Sequence, residues 1–470
     1  MNSASPPAAT IASLDPEACR RARQSRDPRF DGLFFIGVRT TGIYCRPVCP
    51  ARSPAEKNVS YFPGAAQAAA AGFRPCLRCR PESAPGSAAW MGSSTTVNRA
   101  LKLIEQGALN DGKLPSLAAR LGIGERYLRK LFQRELGLSP QAVALNQRLL
   151  FAKKLLAETR LPLTEVAFAA GFGSVRRFNS AVREQFRLTP KDLRKRQAVK
   201  TGGGISLQLH YRPPYDWEGV IAYFQRHALE GVETADEKHY SRQFKAGQIH
   251  VSPIEGRNAL QLDVELAEPA GLMPLVARVR GMFDLDANPQ VIAGILGQDP
   301  ALAPLLARWP GIRSPGCGSV YESSIRAILG QQISTVAARN LCGRLAAACT
   351  REGEPTAFPS AASLAALDDT HFPMPGRRRD TLRQLCRSLR EREDQLDLET
   401  LASIPGIGPW TTAMVAMRGA GDPDAFPVTD LGVVNAWAAL GEDTHLKIRQ
   451  ADWRPWRAYA ANLLWRSLSP

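Results

Sequence analysis

Four cysteines in two close pairs, Cys45 and Cys49 in YCRPVC and Cys76 and Cys79 in RPCLRC, constrain the fold of this 470-residue chain more than any other feature. Two short-spaced pairs separated by a longer loop suit a tetrahedral thiolate site, so the surrounding segment is predicted to close on one zinc ion. Six arginines lie around the pairs, at Arg39, Arg46, Arg52, Arg74, Arg78 and Arg80. A purely structural site needs no cationic surround, whereas a site that faces a polyanion does. The spacing itself admits both a structural zinc knuckle and a zinc thiolate that acts as a nucleophile.

Charge is divided in the same sense. Residues 1–200 carry 33 Lys and Arg against 14 Asp and Glu, while the rest of the chain carries 27 against 30. The basic excess favours a polyanion through counterion release, although a basic surface also serves solubility alone. The other half must hold its partner by different means. Cys19, Cys317, Cys342, Cys349 and Cys386 are scattered without ligand spacing, as expected of core thiols in a reducing compartment. No apolar run approaches the ~18 residues of a membrane helix, and the opening MNSASPPAAT lacks the regions of a secretory signal. A cytoplasmic chain without membrane association is expected. The histidines, His210, His227, His239, His250, His371 and His445, show no ligand spacing and are expected at bland positions.

The chain is too long for one hydrophobic core. Two low-complexity seams, SAPGSAAWMGSS at 83–94 and KRQAVKTGGG at 195–204, read as linkers. Period-2 alternation in ISLQLHY and NALQLDVEL predicts strands, whereas the sequence beyond about residue 286 reads as helices broken by Pro and Gly. The expected fold class is therefore multidomain α+β. It comprises a small zinc-bound α/β domain (1–90), an all-α double helix-turn-helix domain (91–197), a mixed α/β lobe (204–285) and an all-α helix-hairpin-helix domain (286–470).

In SLAARLGIGERYLRKLFQRELGLSP, a helix beginning after Gly124 turns Leu128, Leu131 and Phe132 to one face and Arg126, Arg129, Lys130 and Gln133 to the other. TEVAFAAGFGSVRRFNSAVREQFRLTP repeats the design. Here Val175, Phe178, Val182 and Phe186 point inward, Arg176, Arg177, Asn179 and Arg183 outward, and Ser174 caps the helix. Between the units, Ser139-Pro140 starts a helix through about Ala157. Such units either read DNA, by contacts to phosphates or bases, or merely pack as a helical bundle. The AxxxGF…F…F…TP frame resembles AraC/XylS-type regulators. That resemblance implies two recognition helices in successive major-groove turns, a defined promoter operator and RNA polymerase as a partner.

FFIGVRTTGIYCRPVCPAR, with NVSYF and AAGFRPCLRCRPE, resembles the N-terminal domain of the Ada methylation-response family over residues 14–82. The resemblance implies that Cys45 takes a methyl group irreversibly from a methylated DNA phosphate. Cys49, Cys76 and Cys79 then complete the zinc shell, and Thr41, Arg52, Arg74 and Arg78 contact the DNA backbone. The physical logic is independent of the family: zinc keeps Cys45 a thiolate at neutral pH, and four thiolates on one zinc are doubly negative. Methylation removes one of those charges and lessens repulsion from phosphate.

YRPPYDW (211–217), FDLDANP, SSIRAILGQQIS and SIPGIGPWTTAM resemble the AlkA family of alkylbase DNA glycosylases and together span most of 205–468. The turn Pro405, Gly406, Ile407, Gly408 reads as a helix-hairpin-helix whose backbone amides approach a phosphate, which alone implies only non-specific DNA binding. Further on, FPVTDLGVVNAW places Asp430 at a helix start with Val433, Trp437 and Leu440 inward. An ordinary N-cap fits that pattern. The resemblance implies instead a catalytic carboxylate that stabilises the oxocarbenium-like sugar or orients water at an extruded nucleotide.

Bifunctional members of the superfamily carry a Schiff-base lysine where this chain has Trp410, so a monofunctional enzyme that leaves the abasic strand uncut is expected. No cysteine follows Asp430, and no iron-sulfur cluster is expected. Trp410 and Trp465 match the family's aromatic pocket positions, where an electron-rich ring favours a cationic alkylated purine; Trp465 equally suits a buried helical position. Met414 stands where the family often has a pocket tyrosine, and Gln332 where it has an apolar wedge. The lobe at 205–285 shows no catalytic constellation and is expected to be structural.

Together these features imply a monomeric bacterial-type protein acting on alkylated and operator double-stranded DNA. It joins a zinc-dependent methylphosphotriester acceptor and transcriptional activator to a glycosylase for alkylated purines of the 3-methyladenine type. No PCHR acceptor motif for O6-methylguanine occurs. Two alternatives stand beside this one: a non-enzymatic regulator whose C-terminal half only binds DNA, and an enzyme with a merely structural zinc site.

Overall fold

The computed structural model describes residues 15–81, 84, 95–110, 113–195, 205–389, 393, 396–441 and 445–468. Apart from Ala84 and Lys195, the two expected linkers lie outside the described residues. The chain forms two compact units. The first runs to Arg212 and takes in Leu266–Ala277 and Leu285–Ala287; the second comprises Pro213–Glu265, Arg278–Asp284 and Asn288 onward.

In the first unit, strands Val59–Phe62, Phe35–Val38, Ile43–Cys45 and Arg74–Pro75 lie side by side in that order. The first three are antiparallel neighbours, and Ile43–Cys45 pairs in parallel with Arg74–Pro75. Phe35–Val38 is buried along its whole length because helices cover both faces. Ile36 and Val38 pack with Cys19 and Ala22 of helix Pro16–Ser25, while Phe35 packs with Tyr44 and with Ala68 of helix Ala65–Ala70. Gly37 sits beneath two rings: a Cβ there would lie 2.7 Å from Phe62 and 2.9 Å from Phe73.

Both helix-turn-helix units form as expected. Helix Glu125–Leu136 buries Leu128, Leu131 and Phe132, and helix Val175–Phe186 buries Phe178, Val182 and Phe186. Val175, expected inward, is only half-buried, because the first residue of a helix has no preceding turn to cover it. Ser139 and Ser174 cap their helices through bonds from Ala142 N (3.2 Å) and Arg177 N (3.3 Å). The connecting helix is Pro140–Glu158. Its last turns bury Lys153 and Lys154, which are 1% and 5% exposed. Burial of an ammonium requires partners: Lys153 Nζ donates to Cys76 O (3.0 Å), and Lys154 Nζ to Glu158 (3.0 Å).

In the second unit, strands Ala259–Leu266, Gly247–Pro253, Tyr240–Phe244 and Glu233–Ala235 are successive sheet neighbours. The strand expected from ISLQLHY also forms, as Ile205–His210. Helices Val320–Leu329, Thr335–Ala348, Gly376–Leu389 and Pro409–Arg418 supply the main apolar core.

A buried charge cluster joins sheet to helices. Glu233 accepts from Tyr240 Oη (2.7 Å), Arg242 (2.8 Å) and Arg326 (2.7 Å), and Glu322 accepts from Arg242, Arg278 (2.6 Å) and Arg326 (2.7 Å). The neighbouring guanidiniums outweigh the cost of burial and hold both carboxyls below the usual range. The scattered cysteines are core residues as expected. Cys19, Cys317, Cys342 and Cys386 are buried, Cys349 half-buried, and desolvation pushes all five thiols up to about 11 or 12. Among the described residues, no helix is long and apolar enough to cross a membrane.

Candidate functional site

Two sites emerge, one in each unit. In the first, the parallel strand pair sets Cys45 and Cys76 at adjacent strand ends, with Cys76 N donating to Tyr44 O (2.9 Å). A turn closed by Cys49 N on Arg46 O (3.1 Å) brings Cys49 back, and a second turn delivers Cys79. All four Sγ atoms lie within 4.8 Å of one another. Tetrahedral Zn–S bonds of ~2.3 Å require sulfur separations of about 3.8 Å, so the cluster fits one zinc ion.

The four sulfurs differ in their surroundings. Arg46 N donates to Cys79 Sγ (3.3 Å) and Arg78 N to Cys76 Sγ (3.4 Å), and both of these cysteines are buried. Cys45 is half-exposed and, among the described residues, accepts no backbone amide. The arginine surround is also of two kinds. Arg46 is buried against Asp31 (2.8 Å) and Arg80 is paired with Glu158 (2.5 Å), so neither is free to meet a polyanion. Thr41, Arg52 and Arg78 are exposed and Arg74 is half-buried. On the recognition helices, Arg126, Arg129, Lys130, Arg176, Arg177 and Arg183 are exposed and Asn179 half-buried; Arg129 is paired with Glu125.

The second site is a cavity of about 740 Å³ in the second unit. Leu398–Ala402 and Pro409–Arg418 are the two helices of the expected hairpin. Gly406 has φ +91°, and a Cβ there would lie 2.1 Å from Thr381 Oγ1. Gly408 is different: its φ is −102° and a Cβ would meet nothing within 4 Å. Packing therefore does not demand a glycine there. Pro405 and Gly406 are exposed, Ile407 and Gly408 half-buried.

Asp430 caps helix Leu431–Ala439 by accepting from Val433 N (3.1 Å), and it also lines the cavity. Trp410 Nε1 donates to Oδ2 (3.0 Å) and Trp465 Nε1 to Oδ1 (2.8 Å). Capping a helix and facing the cavity are compatible at Asp430, because the cap turns the carboxylate toward the indoles. Gly432 makes room for this arrangement: a Cβ would lie 2.9 Å from Trp465 Cδ1 and 3.1 Å from Asp430 Oδ1. Val433 and Trp437 are buried as expected, but Leu440 is half-buried because it is the residue that ends the helix. Met414 lines the cavity.

Gln332 is exposed in the left-handed region at φ +58°, a conformation that costs a non-glycine residue free energy. Its neighbour Gln331, missed in the sequence, donates to Gly406 O (3.2 Å) and Thr411 Oγ1 (3.0 Å) and straps this loop to the hairpin. The α/β lobe, expected to be only structural, contributes to the cavity through Tyr223 and His227 on helix Trp217–His227. Their rings stack at 4.3 Å, and burial pushes the tyrosine pKa up and that of His227 down to about 3. An ion pair between Asp216 and Arg466 fastens that helix beside Trp465. Nothing in the local sequence separates Tyr223 from an ordinary amphipathic-helix tyrosine.

Arg418, also unforeseen, lines the cavity at 9% exposure. It donates to Pro315 O (2.5 Å) and Asn462 Oδ1 (2.9 Å), and its guanidinium lies 4.6 Å from the Tyr223 ring centre and 5.1 Å from that of Trp465. Burial pulls its pKa below the usual arginine value, yet an arginine remains protonated at neutral pH.

Comparison with known proteins follows the same division. The metal binding domain of Ada matches residues 18–82, a helix-turn-helix domain 117–196, and the AlkA N-terminal domain 206–319. The probable bifunctional transcriptional activator/DNA repair enzyme AlkA of Mycobacterium tuberculosis is 41% identical over 479 residues, covering 97% of each chain. DNA-3-methyladenine glycosylase 2 of Escherichia coli is 31% identical across 55% of this chain and 95% of its own. The bifunctional transcriptional activator/DNA repair enzyme Ada of Escherichia coli is 34% identical across 40% of this chain and 49% of its own. With one relative matched along nearly the whole of both chains and the Ada and AlkA domain models falling on its two parts, the chain belongs to the family of bifunctional transcriptional activator/DNA repair enzymes that join an Ada-type zinc-binding and helix-turn-helix half to an AlkA-type half.

Proposed function

We propose that the second unit is a monofunctional DNA glycosylase releasing alkylated purines of the 3-methyladenine type. The convergence of Trp410 and Trp465 on the Asp430 carboxylate, in one cavity beside the hairpin, carries this reading. A flipped base enters the aromatic cavity with Met414 at its wall, Gln332 faces the gap left in the stack, and Pro405 to Gly408 hold a phosphate by backbone amides. Asp430 stabilises the positive charge that develops on the sugar as the base departs. Water adds to C1′, leaving an abasic site, and Trp410 stands where a strand-cutting enzyme has its lysine.

Residues 1–90 are the methyl acceptor and 91–197 the operator reader, both in the first unit, while the glycosylase is drawn from 204–285 and 286–470, most of which form the second unit. When bound, zinc keeps the sulfurs as thiolates at neutral pH. Cys45 is the acceptor: of the four, only it and Cys49 are half-exposed, and the Ala51 amide engages Cys49 as other amides engage Cys76 and Cys79. Thr41, Arg52, Arg74 and Arg78 hold the DNA backbone. Arg126, Arg129, Lys130, Arg176, Arg177, Asn179 and Arg183 face the operator, where the monomer recruits RNA polymerase.

The deciding experiment measures release of free base from methylated duplex DNA by wild type and Asp430→Asn, with nicks scored before and after alkali. Release by wild type alone, with nicks only after alkali, is expected. No release by either would leave the second unit as a DNA-binding part of a regulator.

A further inference from the structure

We propose that Arg418 is the electrostatic counterpart of Asp430, a fixed positive charge behind the base pocket that draws the glycosidic electron pair toward the base. The inference rests on the glycosylase reading and adds to it a residue that the motifs do not mark.

Its foundation is an unusual burial. Among the described residues, Arg418 is answered by a carbonyl, an amide oxygen and two aromatic faces, and by no carboxylate. A guanidinium buried this way retains its charge, where an ion pair would have cancelled it. The residue belongs to the same helix as Trp410, Met414 and the hairpin, and Trp465 spans the two charges: one face of its ring carries Arg418 while its Nε1 donates to Asp430.

Breaking the bond between C1′ and the base nitrogen sends both electrons to the base. The base becomes one charge unit more negative and the sugar one unit more positive, whatever the lesion. A cationic alkylpurine leaves neutral, and the water that adds to C1′ gives its proton to solvent. A neutral lesion leaves as an anion and takes that proton itself. In both cases a positive charge behind the base and a negative one at the sugar favour the same displacement of charge.

The ground states differ. Arg418 opposes a cationic base before cleavage, directly and by occupying the ring faces that would hold it, but is indifferent to a neutral one. Interactions that strengthen only as the bond breaks raise kcat rather than affinity.

The test uses the full zinc-loaded chain and duplexes carrying either 7-methylguanine, a cation, or hypoxanthine, which is neutral. For Arg418→Gln, kcat is expected to fall at least tenfold on both lesions, with KM lowered for 7-methylguanine and unchanged for hypoxanthine; Arg418→Lys restores both. Arg418→Met is the second charge-free variant, and thermal unfolding shows which of the two retains the fold. If hypoxanthine is not released, a joint fall of kcat and KM on 7-methylguanine decides in favour. Unchanged kcat, or a loss that Lys does not restore and that leaves KM alone for both lesions, overturns the proposal. Base release by Asp430→Asn equal to wild type would instead remove the glycosylase reading, independently of Arg418.

Discussion

A single hydrogen at Gly432 determines whether Trp465 can reach Asp430. A methyl group there presses on Cδ1 and Nε1 of the indole and on the carboxylate at once. Gly432→Ala is therefore expected to cut base release on the order of 10²-fold, the cost of about 1 Å of misplacement, while binding to undamaged duplex stays at the wild-type level. Both are read from one preparation by base release and gel shift. His227 offers a second residue-level prediction. Its folded pKa of about 3 lies below its unfolded value, so the unfolded chain binds a proton that the folded chain refuses. The resulting loss of stability is absent above pH ~6.5 and grows as pH falls toward 3, in a pocket that Arg226, Arg326 and Arg418 keep positive. His227→Gln should flatten thermal stability across that window, as followed by calorimetry. Asp430 and Trp410 were legible because they stand in or at a set distance from the hairpin motif, whereas Trp465 was marked only by family resemblance and equally suited a buried helical position. Tyr223, His227 and Arg418 were not legible, since they reach the cavity from sequence that locally reads as ordinary helix.

The hairpin and the loop that carries Gln332 behave as one element because Gln331 ties them. Gln331→Ala is expected to slow base release several-fold and to lower Tm slightly, since the bond to the buried Thr411 Oγ1 is lost with the strap. Gly408→Ala separates fold from function. The substitution strains nothing, as the φ is ordinary and the space open, so Tm should hold. The methyl group nonetheless obstructs the phosphate, and the Kd for abasic duplex should rise about tenfold, one lost charge-assisted amide bond. Unchanged Kd would leave the hairpin without a role in binding. Helical periodicity placed Leu128, Phe132, Phe178 and Val433 correctly but overreached at Val175 and Leu440. Periodicity reports direction around an axis, and at helix ends there is no neighbouring turn to bury what points inward.

At the scale of the molecule, the strand lobe and the helices of the second unit are locked together by charge as much as by apolar contact. Glu322 lies beneath three guanidiniums, and replacing it by Gln leaves them facing a neutral amide in a dry interior. Glu322→Gln is expected to destabilise the unit by about 3–5 kcal/mol, measured by urea unfolding. Such a cluster has no sequence signature, because its members come from four separate segments. The division of charge and the order of the motifs, by contrast, are properties of the linear chain and could be read directly from it. The two sites also differ in how they end a reaction. On the proposed reading the Asp430 carboxylate is unchanged when a base departs, whereas a methylated Cys45 is a spent acceptor. Each molecule is thus a clock that strikes once and a tool that keeps its edge. On that reading, a population of such chains carries a tally of past alkylation in its spent acceptors, while each Asp430 site is free to act again.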